Sequence, residues 1–72
     1  MNAATQNSLI LQTLLSRRGA WVSMPELVEV SGSYNVHSRI DELRRRGARI
    51  PPARVVSRNG GLGKASFYRI EV

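Results

Sequence analysis

Two adjacent prolines, Pro51 and Pro52, divide this chain into two parts that cannot share one kind of secondary structure. A proline lacks the backbone donor and turns the residue before it away from the α conformation, so a helix must end ahead of position 51. Upstream, apolar residues recur at intervals of three and four, as on one face of a helix. Downstream, they alternate with polar ones, as along a strand.

The upstream part reads as three helices. Thr5 is expected to cap the first, leaving residues 1–4 as a frayed terminus and 5–72 as one domain. Ile10, Leu11, Leu14 and Leu15 form its apolar face, and Gly19 stops it after the basic pair Arg17 and Arg18. Ala20, Trp21 and Val22 are too few for a helix and read as a short extended segment. Ser23 opens the second helix, with Glu26 as its capping-box partner and Pro25 in the first turn. Leu27 and Val30 are its expected buried side, and Gly32 permits the turn that follows. Ser33 is expected to cap the third helix, at about 33–46. Val36, Ile40 and Leu43 make its apolar stripe, Arg44, Arg45 and Arg46 close it, and Gly47 ends it.

After Ile50, which is expected to return to the core, the chain reads as a hairpin. Residues 53–58 form one strand with Val55 and Val56, residues 59–63 a glycine-rich connection, and residues 65–72 the return strand. In that last stretch Tyr68, Ile70 and Val72 alternate with Arg69 and Glu71.

Composition narrows the function. A chain of 72 residues is one domain by length, burying about 60% of its unfolded surface. There is no cysteine and one histidine, so neither disulfides nor a zinc site with several nitrogen or sulfur ligands is expected. No apolar run approaches the roughly 18 residues of a membrane helix, and no signal-peptide pattern precedes Leu9. A cytoplasmic protein without membrane contact, metal or cofactor is the expectation. Catalysis is not expected. His37 and Asp41 are one turn apart with Ser38 beside His37, but an exposed helix face offers no dry pocket and no oxyanion site. Residues 60–64 fail as a phosphate loop, because the spacing is short and Ala65 stands where a hydroxyl is needed.

The net charge is +6, with a pI near 11.4. Its distribution is uneven. In residues 1–30, Arg17 and Arg18 balance Glu26 and Glu29. In residues 31–58, seven arginines face only Asp41 and Glu42. A basic region of this kind favours a polyanionic partner, nucleic acid first.

The order is helix, short strand, helix, tight turn, helix, hairpin. The run Val22-Ser23-Met24-Pro25-Glu26-Leu27, the stripe Val36 and Ile40, and the ending Asp41-Glu42-Leu43-Arg44-Arg45-Arg46-Gly47 resemble the winged helix-turn-helix family. They are similar to the DNA-binding domains of biotin-operon repressors and to small phage and prophage helix-turn-helix proteins. Phe67-Tyr68-Arg69-Ile70 after Gly63-Lys64 is similar to the return strand of their wing. The resemblance covers nearly the whole chain. It implies an α+β fold of three helices with a C-terminal β-hairpin wing, and a function in transcription. Its motifs consist of small, apolar and basic residues, which specify fold better than function.

With the third helix as the recognition helix, Tyr34, Ser38, Asp41 and Arg45 lie opposite the apolar stripe, flanked by Asn35, Glu42 and His37. Asn35 suits adenine, Ser33, Ser38 and His37 suit bases or phosphates, and Tyr34 suits a sugar or a thymine methyl. Arg39 lies to the side and suits a backbone phosphate. The resemblance places the wing, about 58–65, along the DNA backbone, where Arg58 and Lys64 neutralise phosphates. The same residues have plain structural readings. Asp41 with Arg45 and Glu42 with Arg46 are i, i+4 pairs, Tyr34 suits partial packing, His37 suits a solvated surface, and the wing suits an ordinary hairpin.

Two functions follow. One is a regulator of double-stranded DNA, acting as a monomer or weak homodimer; the first helix, through Leu9, is the sole candidate dimer contact. The other is a phage-type regulator that binds bacterial RNA polymerase directly and inhibits initiation or prevents termination, working in the cytoplasm of the host. Asp41 and Glu42 on the reading face hint at the second. Recognition of structured RNA through Tyr34, Asn35 and the wing is a weaker third.

Overall fold

The structure, a computed structural model, describes residues 2–57 and 64–71. Its elements are α1 (Ala3–Ser16), β1 (Val22–Ser23), α2 (Met24–Ser31), α3 (Val36–Arg45), β2 (Arg54–Ser57) and β3 (Lys64–Tyr68). The described residues thus form an α+β fold of three helices and a three-stranded antiparallel sheet, in the order β1-β3-β2. The central strand β3 holds Val22 opposite Tyr68 on one side and Arg54 opposite Phe67 on the other. The expected loop 59–63, Arg58 and Val72 lie outside the described residues.

α1 starts earlier than expected. The Asn2 side chain accepts from the Thr5 amide at 2.9 Å, so Asn2 is the cap and Thr5 an interior residue. Ala3 and Ala4, strong helix formers, lie inside the helix. Its buried face runs through Asn7, Ile10 and Leu14. Leu11 is partly covered, but Leu15 is 47% exposed, so the apolar stripe is rotated toward Asn7. The helix ends at Ser16, and its exit uses Arg18 in the left-handed region at φ +50°.

α2 makes half of its expected capping box. The Glu26 amide donates to Ser23 Oγ at 3.4 Å, but the Glu26 carboxylate turns to the guanidinium of Arg17. Leu27 and Ser31 face inward, one turn apart, and Val30 is left mostly outside. Ser31 is accommodated because its hydroxyl donates to the Leu27 carbonyl at 2.6 Å and accepts from the Ser33 amide at 3.1 Å.

α3 buries Val36, Ile40 and Leu43, as their spacing requires. Its cap position is Asn35 rather than Ser33. Ser33 is buried and instead accepts from the Asn35 amide at 3.1 Å, which fixes the turn before the helix. At the other end the Gly47 amide donates to the Arg44 carbonyl and the Ala48 amide to that of Leu43, both at 3.0 Å. This Schellman ending needs a positive φ at its turning residue, and Gly47 has φ +100°.

One core joins these elements. Ile10, Leu14, Leu27, Val36, Ile40 and Leu43 from the helices meet Val22, Ile50, Tyr68 and Ile70. β2 begins one residue later than expected, at Arg54, while β3 begins one residue earlier, at Lys64, and ends earlier, at Tyr68. Val55 and Val56 are exposed, as are all four residues of β2, an edge strand of the sheet.

Candidate nucleic-acid interface

α3 is clamped on both flanks by long polar side chains, and this decides which of its residues face outward. On the flank toward α1, Arg39 Nη2 donates to Glu42 Oε1 at 2.7 Å and Nη1 donates to Gln6 Oε1 at 3.4 Å. Only 19% of the Arg39 side chain is exposed, and its Nε is buried without a partner among the described residues. Asn7 Nδ2 completes the contact by donating to Glu42 Oε2 at 2.8 Å. Arg39 is therefore committed to the α1–α3 seam, against its expected role on a phosphate.

On the flank toward the sheet, Tyr68 takes two neighbours from α3. His37 Nδ1 is hydrogen-bonded to its hydroxyl, with the two rings edge to face at 5.8 Å. The Arg44 guanidinium carbon lies 5.9 Å from the Tyr68 ring centre. Burial pushes the Tyr68 hydroxyl above its ordinary pKa, an effect that the Arg44 charge opposes and the Asp41 charge assists. Arg44 also donates from Nε to the Ile50 carbonyl and from Nη2 to the Pro51 carbonyl, both at 2.8 Å. It ties the helix to the segment that leads into the hairpin.

These ties change the expected ion pairs. Asp41 pairs with Arg44 at 3.3 Å, not with Arg45, and Glu42 pairs with Arg39, not with Arg46. Arg39 and Arg44 are the arginines that tertiary contacts already hold beside these carboxylates. Arg45 and Arg46 are consequently exposed and form no ion pair among the described residues.

The outer side of α3 presents Asn35, Asp41 and Arg45 exposed and Ser38 half-buried. Tyr34, ahead of the helix, is 100% exposed and packs on nothing. Asn35 makes no side-chain cap bond, so its carboxamide is uncommitted. Ser33 drops out of the expected set, since its side chain is buried in the turn. His37 and Lys64 line one cleft of about 310 Å³ together with the start of α2 at Ser23, Met24 and Pro25. The first turn of α3 and the start of β3 thus share one side of the molecule. Arg58 lies outside the described residues.

Sequence reasoning passed over Asn7 and the double tie of Arg44. Asn7 stands three residues before Ile10, within the stripe itself, and a polar residue at such a position is the signal of a buried polar contact. Arg44 gave no such signal, because its partners are carbonyls six and seven residues on.

Among the described residues, no group of three or more His, Cys, Asp or Glu is placed to hold a metal ion. None of their helices is long and apolar enough to cross a membrane. No protein-family model matches the chain, and no curated protein or solved structure matches it.

Proposed function

We propose that this chain is a winged helix-turn-helix transcription regulator, with α3 in the major groove of double-stranded DNA and the β2–β3 hairpin as the wing along the backbone. The observation that carries the reading is the shared side of His37 and Lys64, which sets the start of α3 and the hairpin toward one partner. An element order of three helices and a sheet with β3 between β1 and β2 is compatible with that fold.

In this reading Asn35 pairs with adenine, Ser38 and His37 meet bases or phosphates, and Tyr34 packs on a sugar or a thymine methyl. Arg45 and Lys64 neutralise phosphates. Ser33 and Arg39 act on the fold instead. A lone module of this kind covers about 600–1,000 Å² on DNA, so tight binding calls for two copies on one site.

The test is an electrophoretic titration of the purified chain against the duplex upstream of its own coding sequence and a scrambled duplex, at near-physiological salt. Selective retention of the upstream duplex supports the reading. Equal, weak retention of both contradicts it.

A second reading rests on Asp41, which stays 61% exposed at the centre of the outward face, where it repels phosphates. A phage-type regulator docking on bacterial RNA polymerase fits that carboxylate better. Retention of a polymerase subunit from a bacterial lysate, undiminished by unrelated DNA, selects this alternative.

A further inference from the structure

The sheet has a second side that the duplex reading does not use. Val22 and Tyr68, opposite one another, point into the core. Side chains alternate along a strand, so Phe67 lies on the other side of β3, and Arg69, just after its end, continues the alternation between buried Tyr68 and Ile70. Trp21 joins them there, with the Arg69 guanidinium carbon 5.7 Å from its ring centre. Across the other edge, the register sets Arg54 opposite Phe67 and Val56 opposite Ala65. This side is open: Trp21 is 38% and Val56 41% exposed, Arg54 is exposed, and Phe67 is half-covered.

We infer that this face of the sheet is a stacking platform for single-stranded nucleic acid, with Trp21 and Phe67 as the base-stacking residues and Arg69 and Arg54 as the phosphate-neutralising ones. Continuing the β1–β3 register by one residue sets Trp21 opposite Arg69 and diagonal to Phe67, a relation that spaces two residues by about 7–8 Å. Successive unstacked bases on an extended strand need a spacing of this order. Each aromatic has an arginine as its cross-strand neighbour, so stacking surface and positive charge alternate as base and phosphate do. Arg69 Nε donates to the Gly19 carbonyl at 2.9 Å, which holds the guanidinium against the indole. Its terminal nitrogens have no partner among the described residues. One carboxylate, Glu71, follows at the end of the face, and its own amide is tied to the Arg49 carbonyl at 2.8 Å. A second copy of the chain is a poor occupant. It would oppose arginine to arginine on two chains of net charge +6.

Trp21 is the only tryptophan, so its fluorescence reads this face directly. The probe is an oligothymidine of about twelve nucleotides, titrated into the whole chain at low and near-physiological salt. The expected result is saturable quenching, weakened about ten-fold or more in Phe67→Ala and unaffected in Arg45→Ala, which alters the outer side of α3. Phe67→Leu, which keeps apolar bulk and loses the flat ring, gives the same loss if Phe67→Ala does not fold. Absence of quenching overturns the inference, as does quenching that the Phe67 variants leave unchanged. An equal response to poly-glutamate also overturns it, since that surface would serve an acidic protein. Failure here leaves duplex binding through α3 untouched, because Trp21, Phe67, Arg69 and Arg54 are not among the residues that α3 brings to the duplex.

Discussion

Asn7 of α1 donates to Glu42 of α3 at 2.8 Å, so the seam between these helices is set by a buried amide and a carboxylate as well as by apolar contact. The carboxylate in turn holds Arg39, and Arg39 reaches back to Gln6. Four polar side chains therefore fix how α3 lies on α1.

Breaking that seam is expected to cost stability without touching the outward face. Asn7→Ala should destabilise the fold by about 1–3 kcal/mol, the usual cost of leaving a buried group unpaired. In a double-mutant cycle with Glu42→Ala, urea denaturation should give a coupling of about 0.5–3 kcal/mol. Strict additivity would mean that the contact carries no energy.

The arginines of α3 are expected to divide by role. Arg45→Ala should leave the unfolding midpoint within about 0.5 kcal/mol of the parent, as an exposed substitution does. Under the proposed duplex reading, the same variant should weaken affinity and lower its salt slope by about one. Arg44→Ala should do the reverse first, destabilising the fold by about 1–3 kcal/mol, since two backbone carbonyls lose their donor. Paired denaturation and salt-titration curves for both variants check this.

Arg18 offers a gain. A non-glycine residue at φ +50° carries strain of about 1–2 kcal/mol, and this side chain is exposed. Arg18→Gly relieves the strain and gives back part of it as unfolded-state entropy. The expected net effect is stabilisation of about 0.5–1 kcal/mol, with Arg18→Ala near neutral. Thermal melts of the two variants decide it.

Tyr68 predicts an alkaline limit. Its hydroxyl pKa is raised in the folded chain by burial. Between the ordinary value of about 10 and the raised one, the native state holds a proton that the unfolded chain has lost, so stability falls as pH rises through this window. Below pH 10 the contribution is fully present. The chain has two tyrosines, so Tyr34→Phe leaves Tyr68 as the only phenol whose ionisation changes the absorbance in an ultraviolet titration. A transition no higher than that of free tyrosine would contradict the burial.

Much of this architecture was legible because it is local. The stripe Val36, Ile40 and Leu43 lies within one helix, Gly47 sits next to the end it terminates, and the prolines at 51 and 52 act on their neighbours. The misreadings arose where the deciding partner is distant or unpaired in sequence. The short strand was expected at 20–22 and lies at Val22–Ser23, where β3 pairs with it. The Asn2 cap displaced Thr5 because two good caps compete and the alanines between them favour the longer helix. On the outer side of α3, Tyr34 and Arg45 were legible as exposed residues from helical spacing alone. Arg39 and Ser33 were not, since a long side chain and a small hydroxyl turn inward or outward according to neighbours that the pattern does not name.

The position of β3 carries one more consequence, in the order in which the molecule assembles. β1 and β2 never touch; each is joined to the sheet only through a strand that follows both in the chain. Along the chain, α1, α2 and α3 all precede β3, so the helices come before any sheet can exist. These helices must wait with one side of their core open until Tyr68 and Ile70 emerge and close it. Whatever delays the docking of Tyr68 and Ile70 prolongs the exposure of Ile40 and Leu43, and exposed core surface of this kind invites proteases and self-association.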